Sequence, residues 1–121
     1  VLFVKDVARM LAFYEAVVGL SVTEAAPTWA RLGTGAFELV VHGIPPHIAA
    51  TFETSSPPER REEAAIKLVF PVADIAIARA TAARLGGELN PPDREWQLGS
   101  ERICDGVDPE GNVFQVRAET P

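Results

Sequence analysis

The chain has 121 residues, 47% of them hydrophobic, and a formal net charge of −6. That apolar content excludes intrinsic disorder, and the length suits one globular domain that buries roughly two-thirds of its unfolded surface. The 17 acidic residues outnumber the 11 basic ones, with no Lys/Arg stripe, which argues against nucleic-acid binding.

In chain order, Val1–Val4 is a short apolar run that reads as a strand. No basic residue precedes it, so it does not read as a signal peptide, and without an initiator methionine we expect residues ahead of Val1. Asp6 stands at a helix N-cap position, where a carboxylate accepts from orphan N–H groups. The stripe Val7, Met10, Leu11, Tyr14 and Val18 predicts an amphipathic helix over 7–18, closed by Gly19 as a left-handed cap. Three strands follow at Ser21–Ala25, Thr28–Leu32 and Ala36–His42, with a turn at Gly33-Thr34-Gly35. Residues 44–64 hold two Pro-Pro pairs and the charge run Glu59–Glu63, which reads as a linker with a solvated face. The order then recurs. Leu68–Val72 is apolar, Asp74 is an N-cap, and Ile75, Ala78, Ala82 and Leu85 stripe a helix over 75–85 that ends at Gly86-Gly87. Strands at Glu88–Leu89, Glu101–Val107 and Asn112–Ala118 complete the chain, with a hairpin turn at Asp108-Pro109-Glu110-Gly111-Asn112.

Displaced by 68 residues, Val4 and Asp6 fall on Val72 and Asp74, and Gly19 falls on Gly87. The expected fold class is therefore α+β: two βαβββ modules forming a curved mixed sheet around a cavity, with the helices outside. Module one covers about 1–43, the linker about 44–64 and module two about 65–121, in a single domain. Each module leaves one sheet face bare, and two bare faces must meet each other or a partner chain, so we expect a homodimer.

The stretches Phe3-Val4-Lys5-Asp6 through Ala12-Phe13-Tyr14 and Gly19-Leu20, Phe37-Glu38-Leu39, Pro71-Val72-Ala73-Asp74 through Leu85-Gly86-Gly87, and Asp108 through Val116 carry a resemblance. Together they resemble the vicinal oxygen chelate superfamily, also called the glyoxalase/bleomycin-resistance/dioxygenase group. The resemblance implies the paired-module fold, but no single activity, because many chemistries share that fold.

Strand alternation assigns the faces. Phe37, Leu39 and Val41 form the apolar set under the helix, so Glu38, Val40 and His42 face the cavity. Phe114 and Val116 are core, so Gln115 and Arg117 face the cavity. Leu68, Phe70 and Val72 are core, so Lys67 and Val69 face it too. In the superfamily's metalloenzymes the resemblance places metal ligands, usually His or Glu, at four strand positions. One falls on Glu38, one on Lys67, one on Gln115, and the first would lie ahead of Val1. An ammonium does not ligate a cation, and an amide is a poor substitute for carboxylate. We therefore expect no metal and no cofactor.

Glu38 is the candidate catalytic residue, as base or sole anionic ligand, or else a solvent-facing strand residue. Lys67 is expected to snorkel to the surface, to form a buried pair with Glu38, or to receive an anionic ligand oxygen. His42 lines the cavity mouth, whereas His42 and His47 have no spacing for a metal pair. Trp29 and Trp96 either pack or stack on a flat ligand. Arg31 and Arg102 line the cavity or its rim. Cys104, the sole cysteine, cannot close an intrachain disulfide or a CxxC zinc site; it reads as a small buried thiol in a reducing, cytoplasmic setting. No apolar run approaches the roughly 18 residues of a membrane span. Three functions stay open: a metal-free small-molecule-binding protein, for which an acidic chain with two tryptophans suits a flat, cationic ligand; a small lyase, isomerase or dioxygenase using Glu38; and a partner-binding or structural module.

Overall fold

A computed structural model describes residues 1–121. Module one runs β1 (Leu2–Val4), α1 (Val7–Val18), β2 (Ser21–Ala26), β3 (Trp29–Thr34) and β4 (Phe37–Gly43). The Asp6 carboxylate accepts from the Arg9 N–H at 3.0 Å, and Gly19 closes α1 in the left-handed region at φ 71°. Both helix boundaries therefore fall where the Asp and Gly signals put them. Within the linker, Pro46–Ala49 forms a one-turn helix, α2, which the proline pairs concealed. Module two runs β5 (Leu68–Pro71), α3 (Ile75–Arg84), β6 (Glu88–Leu89), a 3-10 turn at Pro92–Arg94, β7 (Trp96–Leu98), β8 (Glu101–Val107) and β9 (Val113–Glu119). Asp74 caps α3 by accepting from the Ile77 N–H at 3.0 Å. Strand β7 is an element the pattern does not predict. It is three residues long, and its place depends on pairing with β8 rather than on any alternation of its own.

Two mixed sheets result, β1-β4-β3-β2 and β5-β9-β8-β6, with β7 also on β8. The first strand of each module lies parallel to the last, β1 on β4 and β5 on β9, and the remaining pairs are antiparallel. The two modules thus share one topology.

The helices bury the inner faces, and a single apolar cluster of 19 residues spans both modules. Phe13 and Tyr14 of α1 pack edge-on against Phe114, at 5.8 and 6.1 Å between ring centroids. Tyr14 also meets Phe70 at 5.7 Å. Burying a Phe-sized ring stabilises the fold by about 1.5–3 kcal/mol, so these contacts make one core of two modules. Phe37 departs from the predicted apolar set. It stays 42% exposed at the start of β4 and meets Phe70 edge-on at 5.9 Å between ring centroids.

The turn between β8 and β9 fastens the modules together. Asp108 is fully buried and accepts from the Glu110 and Asn112 N–H groups at 2.9 and 3.0 Å. The Tyr14 hydroxyl, from module one, donates to Asp108 Oδ2 at 2.7 Å. The buried Glu110 carboxylate accepts from the Lys5 and Asp6 N–H groups at 2.7 and 2.9 Å, just ahead of α1. No helix is long and apolar enough to cross a membrane.

Candidate functional site on the open sheet faces

Each sheet has a face turned away from the helices. On the second sheet, Asp105 lies opposite Gln115 and Ile103 opposite Arg117, and Trp96 of β7 lies opposite Ile103. This register puts the polar side chains in one row. Lys67 Nζ donates to Asp105 Oδ2 at 2.8 Å, and Gln115 Nε2 donates to Asp105 Oδ1 at 3.0 Å. Arg117 Nε donates to Gln115 Oε1 at 3.2 Å, and its guanidinium stands 3.6 Å from Glu101. Two cations and two carboxylates, joined through an amide, leave the row neutral and internally hydrogen-bonded.

On the first sheet, Trp29 lies opposite His42, Arg31 opposite Val40, and Gly33 opposite Glu38. Arg31 stands 3.8 Å from Glu24 and 3.9 Å from Glu38, all three side chains about half exposed. The Arg31 guanidinium lies 5.9 Å from the Trp29 ring centroid, and Phe3 meets His42 at 5.7 Å. His42 Nδ1 also contacts the Gly43 carbonyl oxygen at 2.8 Å. This face is therefore aromatic at one end and acidic at the other. His47 sits apart on α2.

Two expectations need correction. Lys67 and Glu38 do not pair: Lys67 is bonded to Asp105 within its own sheet, and Glu38 faces Arg31 within the other. With 42% of its side chain exposed, Lys67 is not in a buried pair either. Arg102 does not line the open face. It lies opposite Ala118, on the helix side, where its Nε donates to Glu95 Oε2 at 3.0 Å and Glu95 also receives Arg79 of α3. Burial works against the Glu95 charge, but the hydrogen bonds from Arg79 and Arg102 hold its carboxyl below the usual range. Cys104 points the same way, fully buried, and desolvation pushes its thiol up. Asp105, the hub of the second row, escaped the sequence reading. Its only signal was its place opposite Gln115 once β8 and β9 are paired.

A paired βαβββ fold with an open, polar-lined face on each sheet defines a class of small binding and catalytic domains. The profile of the Glyoxalase/Bleomycin resistance protein/Dioxygenase superfamily matches residues 1–116, and the chain belongs to that superfamily. No curated protein matches it. Among solved structures, a glyoxalase/bleomycin resistance protein/dioxygenase family enzyme from Burkholderia phytofirmans is similar at 23% identity and a TM-score of 0.66, covering 98% of this chain and 94% of that one. The fosfomycin resistance protein FosX from Listeria monocytogenes, in complex with Mn(II) and sulfate, is similar at 16% identity and a TM-score of 0.66, over 98% and 86%. The bleomycin resistance determinant encoded on the transposon Tn5 is similar at 16% identity and a TM-score of 0.59, over 99% and 94%. At these identities the likeness is one of fold.

The residues present do not fit the divalent metal that the superfamily's metalloenzymes hold. No group of three or more His, Cys, Asp or Glu side chains converges anywhere in the chain. At two of the positions the resemblance implies for that site, Lys67 brings a cation already bonded to Asp105, and the Gln115 amide is spent on Asp105 and Arg117.

Proposed function

We propose that this chain binds a small molecule against the open faces of its sheets without a catalytic divalent metal. The observation that carries this reading is the row Lys67–Asp105–Gln115–Arg117–Glu101, in which an ammonium and an amide stand where ligands would be needed. A charge-balanced row beside Trp96 on one sheet, and an aromatic and acidic face holding Trp29, His42 and Glu38 on the other, suit a flat ligand with hydrogen-bonding edges and a cationic group. Calorimetric titration with Mn(II), Ni(II) and Zn(II) is the test. No saturable heat below millimolar metal is expected, and a stoichiometric micromolar site would refute the reading.

The same reading includes a homodimer. Phe3, Val69, Trp96 and Leu98 are 61%, 43%, 40% and 55% exposed, apolar side chains on the open faces that a second copy of the chain would cover. Sedimentation at micromolar concentration is expected to give twice the chain mass, and a monomer would refute it. A second reading, a small lyase, isomerase or dioxygenase with Glu38 as base, draws on one feature. The Glu38 carboxylate is 55% exposed and its nearest cation, Arg31, stands beyond hydrogen-bond distance, so its oxygens are free to accept a proton.

A further inference from the structure

Two clefts meet at the seam between the modules, where they share Glu38 and Lys67 with the open faces. One, of about 360 Å³, has mostly apolar walls, including Leu2, Phe37, Leu39 and Leu68, with Glu38 as its one charged side chain. The other, of about 190 Å³, is lined by Arg60, Arg61 and Lys67 against the single acid Glu62. Both have Ala64, Ile66 and Val113 in their walls, so one strap of linker forms part of each. The small cleft thus has three cations to one acid beside an apolar slot, while on their other side Arg60 and Arg61 line a cleft with Glu53, Glu59 and Glu110.

The strap is held in place. The Arg61 N–H donates to the Gly111 carbonyl at 3.0 Å and its Nε to the Glu110 carbonyl at 3.2 Å, which ties it to the buried turn between β8 and β9. Arg60 spends one N–H on Asn90 at 3.3 Å, and Lys67 spends one on Asp105. A guanidinium has five N–H donors and an ammonium three, so most of the donors around the small cleft have no protein partner. In the larger cleft, by contrast, the Tyr14 hydroxyl and the Asn112 amide N–H groups are already committed to Asp108. Unspent donors thus gather at one end and apolar surface at the other. Ile66, 76% exposed at the junction, is the side chain such a ligand would cover.

We propose that this seam binds a small amphipathic anion, with its charged oxygens against Arg60, Arg61 and Lys67 and its apolar body in the slot under Ile66. The site shares Lys67 with the row on the second sheet, but Arg60, Arg61 and Ile66 belong to neither open face, so a loss of binding on changing them is separable from the ligand reading given for those faces. Paired oxygens suit guanidinium forks, which bind phosphate and carboxylate in bidentate fashion. Each methylene buried in the slot is worth about a fourfold gain in affinity.

Calorimetry with three probes tests the proposal: hexyl phosphate, inorganic phosphate and hexylamine. Hexyl phosphate is expected to bind one per chain, with inorganic phosphate at least about tenfold weaker and hexylamine giving no saturable heat. Arg60→Gln and Ile66→Asp each alter an exposed or half-exposed side chain away from the core, and each is expected to weaken hexyl phosphate about tenfold at unchanged melting temperature. Trp96→Ala, on the open face, should leave that binding unaltered. Equal affinity for the two phosphates, tighter binding of hexylamine, no binding of hexyl phosphate, or indifference to both Arg60→Gln and Ile66→Asp would each overturn the proposal.

Discussion

Tyr14→Phe removes one hydroxyl and nothing else, at the point where module one holds module two. The lost bond is the 2.7 Å donation to Asp108 Oδ2. Asp108 is fully buried and keeps the Glu110 and Asn112 N–H groups and the Asn112 amide as donors, so its carboxylate is under-served rather than stranded. A hydrogen bond to a charged group contributes about 1.5–3 kcal/mol, which places the cost near 2 kcal/mol. For a domain of this size that is a fall in Tm of about 6–10 °C by calorimetry. A second signature is independent of the first. Burial, then the charge and hydrogen bond of Asp108, hold the Tyr14 proton well above the ordinary phenol range. Unfolded chains therefore lose that proton before folded ones do. The stabilisation is fully present below about pH 10 and is lost as pH rises toward the folded value, at up to about 1.4 kcal/mol per pH unit. Tyr14 is the only tyrosine, so its ionisation can be followed by absorbance without interference from another phenol. In Tyr14→Phe this alkaline loss should vanish. A variant within about 0.5 kcal/mol of the parent, with the same alkaline profile, would refute the latch.

Glu95→Gln should cost about 2 kcal/mol in urea unfolding, discounted for the 42% exposure of the Arg102 side chain. Because the Glu95 carboxyl is held below the usual range, its contribution is present above the ordinary carboxyl value and lost as pH falls through the folded one, so parent and variant should converge in acid. Asp108 has the opposite sign: burial raises it, so its contribution is present in acid and lost as pH rises through the folded value, and the acid limb of the parent should be shallower than Glu95 alone would make it. A double-mutant cycle of Lys67→Met with Asp105→Asn should show coupling of about 1 kcal/mol or less, while Lys67→Met with Glu38→Leu should be additive. Gly87→Ala should destabilise by about 1–3 kcal/mol in the same unfolding assay, since the new Cβ would lie 2.4 Å from the Phe13 ring and 2.7 Å from the Val107 carbonyl oxygen.

Local signals carried the fold. Asp6, Gly19 and Asp74 mark helix ends because a cap is an interaction of a residue with its immediate neighbours, and the structure places helices where they stand. At the end of α3 the Gly86-Gly87 pair divides two tasks that the sequence presented as one. Gly86 takes the left-handed turn at φ 89°, while Gly87 is small because Phe13 and the β8 backbone press on it. Alternation placed Leu39, Val41, Phe114 and Val116 inside, since one face of each strand is dry. It gives no answer in β8, where Ile103 and Cys104 are adjacent and both buried. Cys104 lies under α3, and Ile103 is covered from the other side by the neighbouring strands, so hydrophobicity no longer reports parity there.

The partner of Lys67 was beyond local signals altogether. Asp105 lies 38 positions away along the chain and reaches Lys67 only because β9 is paired in parallel with β5 and antiparallel with β8. A matching position in a family profile says where a side chain starts, not what it will find across the strand. At Lys67 it finds a carboxylate 18% exposed, close enough to hold the ammonium and wet enough that the pair contributes little to stability. That balance is what a binding face needs. A cation locked in a dry pair would be costly to redirect toward a ligand, and an unpaired one would repel its cationic neighbour Arg117. The neutral row keeps its donors and acceptors aligned while each remains exchangeable with a ligand atom of the same kind, which is the property the proposed recognition by hydrogen bonds requires.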